Sequence, residues 1–268
     1  MKITKILVAL SFLFAVSTAN AGELSVTGSI QATYQSEVDR TTGNPLGMDR
    51  ELTFSASTEL DNGMTVSVMQ DTGDDLDFAN SLITFGNVGG LVDIYIGSDG
   101  SPLDAIDDIT PTAFEEANGS GSGTYQDVGG LAAEMGIGFK ASLPILGTVS
   151  GQYIPRADGS ESADKTASGS LGTKGAGTEI VVKTPMGDLP FVGDFLGGNT
   201  LTVGYAEEEM SQAANTSDRF EITAALTGSI GNLSYGYQVE HIDAGQTAAA
   251  TDAVFYRVDS IGLAYAVN

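Results

Sequence analysis

The sequence predicts an all-β protein whose strands close into an antiparallel transmembrane β-barrel. Three observations support this fold class. Apolar and polar residues alternate with a period of two, short turns alternate with long loops, and the N-terminus resembles an export signal. About twelve strands are expected, with fourteen or sixteen as alternatives.

The strands are predicted from strict alternation, which marks a strand with one apolar and one polar face. In the first strand, for example, Leu24, Val26 and Ile30 alternate with Ser25 and Ser29. Most segments have the roughly 9–11 residues that cross a membrane as a tilted strand. They lie near residues 24–36, 50–60, 64–71, 79–87, 91–98, 131–143, 146–155, 178–185, 200–207, 218–230, 233–242 and 253–267.

The connections between strands alternate in length, which is typical of outer-membrane barrels and would place both termini at the periplasmic end. A secreted β-sandwich, the main alternative, also shows period two but does not predict this alternation. The connection at 186–199 is long where a short turn is expected, so a missed hairpin could lie there. Short turns lie at 61–63, 87–90, 144–145 and 231–232, and long polar loops at 37–49, 72–78, 99–130, 156–177, 208–217 and 243–252.

Residues 1–21 have the features of a secretory signal peptide. Lys2 and Lys5 precede an apolar run at 6–16, and Ala19-Asn20-Ala21 is a typical cleavage site. The run is about half the length that a membrane-spanning helix needs, which disfavours a retained anchor. We therefore expect a signal peptide at 1–21 and one barrel domain at 22–268.

The composition excludes several function classes. Export would remove two lysines and no acid, leaving 9 of the 11 basic residues against 35 acidic ones, a net charge of −26. A nucleic-acid partner is therefore not expected, since phosphate binding needs basic patches, and cations should be attracted. The absence of cysteine excludes Cys-based zinc sites and thiol catalysis. We expect no metal and no cofactor.

The longest loop, at 99–130, mixes carboxylates with large apolar residues such as Leu103, Ile106 and Ile109. If it folds into the barrel, the apolar side chains can pack on the wall while the acids face water and select cations. The alternative is a loop that caps the barrel outside or binds divalent ions with lipid. The acids predicted at this pore constriction are Asp104, Asp107, Asp108, Glu115 and Glu116.

Three stretches resemble the Gram-negative general diffusion porins. They are GELSVTG at 22–28, RELTFSASTELDNGMTVSV at 50–68 and GGLVDIYIGSDGSPLDAI at 89–106. The resemblance implies a diffusion pore, often trimeric, that is narrowed by the third long loop with basic wall residues opposite. The candidates on strands are Lys140, Lys183, Arg219 and Arg257, of which Lys140 and Arg219 fall on polar faces; the alternative for each is a charge at the membrane rim.

The C-terminal strand departs from that family, whose chains normally end on an aromatic residue used for assembly. Here Leu263, Tyr265 and Val267 alternate correctly as an assembly strand, but the last residue is Asn268. Such porins also usually have sixteen strands, for which this chain is short.

The sequence thus predicts an outer-membrane porin of a Gram-negative bacterium for passive diffusion of small hydrophilic solutes and ions, with cations preferred. The alternative is a non-conducting structural or surface-binding barrel. No enzymatic activity is expected, because His241 is the only histidine and no Gly-x-Ser-x-Gly motif occurs. The expected partners are outer-membrane lipid, solutes and cations, the barrel-assembly machinery and two further copies in a homotrimer.

Overall fold

The computed structural model describes the chain in ten stretches and shows an all-β protein. The stretches are residues 24–34, 46–73, 78–98, 101–106, 109–111, 135–155, 174–190, 196–210, 218–243 and 255–267. Twelve strands lie within them: β1 (Ser25–Tyr34), β2 (Leu46–Glu59), β3 (Thr65–Thr72), β4 (Phe78–Val88), β5 (Val92–Gly97), β6 (Gly136–Leu143), β7 (Gly147–Ile154), β8 (Lys174–Pro185), β9 (Asn199–Met210), β10 (Arg219–Ile230), β11 (Leu233–Asp243) and β12 (Phe255–Tyr265).

Each of the twelve predicted segments overlaps one of these strands, which confirms the predicted count within the described residues. Two strands begin four residues earlier than expected, β2 at Leu46 and β8 at Lys174. In β2 the extension pairs with the end of β1, as in the partners Leu46 and Tyr34. A neighbouring strand satisfies backbone N–H and C=O groups whatever the side-chain pattern, so the ladder continues past the alternating residues.

The strands form one antiparallel sheet in which each strand pairs with the next along the chain. β8 and β9 pair directly, from Lys174 opposite Met210 to Pro185 opposite Thr200. The long connection between them contains a 3-10 turn at Met186–Asp188, and its described residues, 186–190 and 196–198, add no strand to the sheet. No missed hairpin therefore separates these two strands.

The short turns lie at one end of the sheet and use the left-handed backbone region. Gly63 and Gly231 have φ of 79° and 60°, values that glycine adopts without steric cost. At the first turn the Asn62 Oδ1 accepts a hydrogen bond from the Met64 N–H at 3.1 Å. The Asn-Gly pair predicted as a hairpin turn is therefore one.

The distribution of apolar and polar side chains over the two faces of the sheet is the reverse of that in a soluble protein. On the outer face Val68, Ile83, Ile96 and Ile137 are register neighbours, and each is between 40% and 51% exposed. On the inner face the fully buried side chains are largely polar, and they include Glu179, Thr202, Thr223, Gln238 and Glu240. Soluble proteins bury apolar side chains, whereas membrane barrels expose them to lipid.

The predicted closure of the barrel needs a correction. β1 and β12 are the two edges of the sheet, and no ladder joins them in the described part of the chain. Strand alternation fixes each strand and its faces, but closure depends on twist, tilt and stagger accumulated over every strand. Over the described stretches the fold is a twelve-stranded antiparallel sheet whose edges are not paired.

No helix among the described residues is long and apolar enough to span a membrane. The predicted signal peptide at 1–21 lies outside these residues.

Candidate functional site

Where the structure describes it, the third long loop lies on the inner face of the sheet. Its described parts are 101–106, which contains a 3-10 turn at Asp104–Ile106, and 109–111. Leu103 and Ile106 are completely buried. They pack in one cluster with an inner-face residue of β8 and one of β9, namely Val181 and Ala206. The apolar side chains of this loop therefore pack on the wall, as the sequence predicts.

Glycines in the middle of strands make room for the loop. A Cβ on Gly204 of β9 would lie 2.5 Å from Leu103 Cδ1 and 2.9 Å from Ile106 Cδ1, distances that no real Cβ tolerates. A Cβ on Gly262 of β12 would likewise lie 2.5 Å from the carbonyl oxygen of Pro111. The sequence analysis missed these residues; the signal that could have found them is a glycine inside a strand, which often marks a close backbone approach.

Two buried polar side chains of the wall hold the loop by hydrogen bonds. Glu179 Oε2 accepts hydrogen bonds from Ser101 Oγ at 2.7 Å and from the Leu103 N–H at 3.4 Å. From β11, Gln238 Nε2 donates to the Ile106 carbonyl oxygen at 2.9 Å. Both partners lie on the inner face. The loop connects β5 to β6, whereas Glu179 is on β8, two strands beyond β6, and Gln238 is on β11, five strands beyond it. The loop thus crosses from β5 to the opposite part of the sheet.

The wall behind the loop is acidic. Four glutamates from four consecutive strands are at most 4% exposed on the inner face: Glu179, Glu208, Glu221 and Glu240. Arg219 of β10 lies among them, and its Nη1 is 3.1 Å from Glu208 Oε2. Its place on the polar face agrees with the sequence. Its partner, however, is a wall glutamate, because the antiparallel register sets Arg219 directly opposite Glu208.

The structure brings Lys140 and Lys183 together on the inner face beside the loop. Both line a cavity of about 410 Å³ between the sheet and the segment Ser101, Pro102 and Ala105. The polar-face position of Lys140 was predicted, whereas that of Lys183 was not. Its inward neighbour Val181 is apolar because it packs under the loop, and this obscures the alternation in β8.

The remaining predicted site residues are spread more widely. Asp104 is exposed at the start of the 3-10 turn, whereas Asp107, Asp108, Glu115 and Glu116 lie outside the described residues. Arg257 lies on the outer face and not the inner one, and its guanidinium contacts Asp259 with two hydrogen bonds of 3.0 Å. The assembly residues Leu263, Tyr265 and Val267 are exposed.

His241 is exposed on the outer face of β11, where its ring centroid is 5.9 Å from that of Phe255. In the described stretches, no group of three or more His, Cys, Asp or Glu side chains is placed to hold a metal ion.

The fold and the site together define a twelve-stranded antiparallel sheet with an apolar outer face and a loop on its polar inner face. No known protein family matches the chain, and no curated protein matches it. A solved structure that matches is a loop L8 deletion mutant of OmpT, an outer membrane protein of Vibrio cholerae. The identity is 12% and the TM-score 0.44, and the match covers 91% of this chain and 88% of that chain. This structure is not described as a general diffusion porin, so membership of that family stays a prediction.

The prediction that the chain is not an enzyme is wrong, because its sequence does not exclude enzymatic activity. It depended on missing motifs alone, and the similarity to OmpT, at 12% identity, concerns the fold and does not support such an exclusion. A missing motif rules out only one catalytic arrangement, because the same chemistry recurs on unrelated folds with different residue orders. We therefore withdraw that exclusion.

Proposed function

We propose that this protein is an outer-membrane β-barrel channel through which small hydrophilic solutes and ions diffuse passively, with cations favoured. The observation that carries the proposal is the reversed polarity of the two faces of the sheet. Apolar side chains such as Ile83 and Ile137 are exposed on the outer face, while carboxylates and amides are buried on the inner one. In water such an outer face would be costly, and in lipid it is favourable.

A membrane location also requires hydrogen-bond partners for the backbone groups at the two edges of the sheet. In lipid no water is available for the unpaired N–H and C=O groups of β1 and β12, and each unsatisfied group costs several kcal/mol. We infer that these two strands pair when the protein is in the membrane, which closes the barrel. The even number of strands makes that pairing antiparallel, in keeping with the rest of the sheet.

The described parts of the loop, 101–106 and 109–111, support a channel because they cover only part of the interior. Leu103 and Ile106 rest against β8 and β9, and Thr110 and Pro111 rest over glycines of β11 and β12. The cavity of about 410 Å³ remains open on the other side of the loop, along β4 to β8. A loop docked in this way would narrow a channel without filling it.

The charge of the chain supports a preference for cations. The net charge is −24, and the inner wall carries Glu179, Glu208, Glu221 and Glu240 with Arg219 among them. Acidic walls around a narrow aqueous path concentrate cations and raise their rate of entry.

Reconstitution of the purified, folded chain in a planar lipid bilayer tests the proposal. We expect discrete conductance steps, and a reversal potential in a salt gradient that has the sign of cation selectivity. Folded protein that inserts into the bilayer without any steps would refute the channel and favour a non-conducting structural or surface-binding barrel. Steps with an anion-selective reversal potential would refute the preference for cations alone.

The homotrimer, the lipid contacts and recognition by the assembly machinery remain predictions. Chemical crosslinking of the chain in native membranes would show whether two further copies are in contact with it.

A further inference from the structure

Two lysines on the inner face have no ion-pair partner within the part of the chain that the structure describes. Among the residues that the structure describes, no carboxylate lies within ion-pair distance of Lys140 or Lys183. The nearest candidate by register is Asp93, which is directly opposite Lys140. Its Oδ1, however, accepts a hydrogen bond of 2.8 Å from the backbone N–H of Asn87 in the short turn. Asp93 lines the same cavity, so among its described lining residues two ammonium groups face one carboxylate, and the cavity is left with an excess of positive charge.

The surroundings of the two lysines are rich in hydroxyl groups. Thr148 is opposite Lys183 in the β7–β8 ladder, and Ser150 is opposite Lys140 in the β6–β7 ladder. Both hydroxyls line the same cavity as the lysines, together with Thr84 and Tyr95. Hydroxyl and ammonium groups are the donors that carboxylates and phosphates use in proteins.

Partial burial makes the missing counter-ion costly. Lys183 is only partly exposed, because the sheet and the loop segment at Ser101 and Pro102 shield part of its side chain. A shielded charge without a partner loses hydration and gains nothing in return, and like charges beside it add repulsion. An anion between the two ammonium groups would remove both penalties.

We propose that Lys140 and Lys183 form a subsite for an anionic group, a phosphate or a carboxylate, carried by solutes that enter the channel. The inference rests on the proposed function and specifies the class of solute. The cavity of about 410 Å³ is within the usual range of small-molecule sites. Cation preference is set by the net charge of −24, which acts over the whole entrance, whereas the subsite acts only within hydrogen-bond distance.

Binding can be measured without conduction. The full chain is folded in detergent micelles at low ionic strength and titrated with inorganic phosphate or with acetate, using calorimetry for both and ³¹P line broadening for phosphate. We expect binding of one or both anions. The double variant K140A/K183A should weaken it by roughly tenfold or more, because charge-assisted hydrogen bonds are lost. The double variant K140R/K183R should bind within a few-fold of the original chain.

R257A is the matched control, since it removes one positive charge from the outer face. Equal weakening by R257A and by K140A/K183A would mean a general charge effect and would overturn the subsite. No binding of either anion to the folded, unmodified chain would overturn it as well. Binding of both anions supports a general anionic subsite, and binding of phosphate alone supports a tetrahedral one.

Bilayer recordings separate this inference from the proposed channel. If the chain conducts, phosphate should lower the single-channel current of the original chain and not that of K140A/K183A, and an equal decrease in both would overturn the subsite. If the chain does not conduct at all, the channel is refuted. The titration in micelles then still tests whether the subsite binds an anion.

Discussion

At the scale of single residues, two positions are notable because a side chain is absent at one and the backbone angle is unusual at the other. Gly204 accepts the apolar end of the loop because it has no Cβ. Ile145 has φ of 71° in a short turn, a left-handed conformation that costs a β-branched residue roughly 1–2 kcal/mol. The first residue places the candidate constriction, and the second stores strain at the far end of the sheet.

Gly204→Ala should displace the loop from the wall. The new methyl would meet Leu103 Cδ1 and Thr223 Cγ2, at 2.5 and 2.8 Å. We expect a loss of about 1–3 kcal/mol in the free energy of unfolding, measured by urea denaturation in detergent. Limited proteolysis should also cut the loop at 99–130 faster.

Gly198→Ala is the control, because a Cβ there would have its nearest neighbour, the Ser229 carbonyl oxygen, at 3.6 Å. Equal loop cleavage in both variants would contradict the role assigned to Gly204.

Ile145→Asn should stabilise the fold by about 1 kcal/mol, because asparagine tolerates the left-handed region and the isoleucine side chain is 55% exposed. The midpoint of urea unfolding would measure this. Leu146→Asn, at a neighbouring exposed position without positive φ, should give no such gain, and a gain of the same size there would show that polarity and not strain is responsible.

At the scale of elements, the loop between β5 and β6 and the strands β8 to β11 form one unit. Ser101 and Ile106 are hydrogen-bonded to Glu179 and Gln238, residues 78 and 132 positions away in the sequence. The loop is thus held by strands that are remote from its own ends. Its exposed acid, Asp104, lies on the 3-10 turn between these two attachments.

Neutralising the loop acids together, as D104N/D107N/D108N, should reduce cation selectivity. Fewer carboxylates near a narrow aqueous path weaken the local field, so the reversal potential in a salt gradient should move toward zero. E59Q/D61N, which neutralises acids at the short turn after β2, is the matched control. An unchanged reversal potential in the loop variant would place these acids outside the conducting path.

At the scale of the whole molecule, the central question is how the edges of the sheet meet. Among the strands that the structure describes, β1 pairs only with β2, and β12 only with β11. The alternation on both edge strands places Ser29, Ser260 and Gly262 on the inner face, and Ile30 and Ile261 on the outer one. The edges therefore match in face polarity, which is what an extended ladder between them requires.

Engineered disulfides should detect this pairing, and the chain has no cysteine to interfere. We expect Ser29→Cys to crosslink in lipid with one member of a series on β12: Val258→Cys, Ser260→Cys or Ala264→Cys. A disulfide needs Cα atoms within about 7 Å, so only paired strands can form it. Mobility on a non-reducing gel is the measurement. Ser29→Cys with Thr227→Cys on β10 is the control, and failure of the whole series would contradict closure.

The sequence by itself determined where the strands lie, which face of each strand is apolar, and at which end of the sheet the short turns lie. Alternation with period two specifies a strand and its faces locally, and Asn62-Gly63 specifies a hairpin because only certain residues adopt its backbone angles. The apolar residues of the loop also indicated correctly that it packs on the wall. Each of these features depends on neighbours that are close in the chain.

Tertiary structure alone decided which partners meet across the sheet. The pairing of Arg219 with Glu208, the inward position of Lys183 and the place of Gly204 under Leu103 all depend on register and on a loop arriving from a distant strand. Whether the edges close depends on twist summed over twelve strands. Contacts of this kind have no local sequence pattern, because both partners are specified only once the whole sheet has formed.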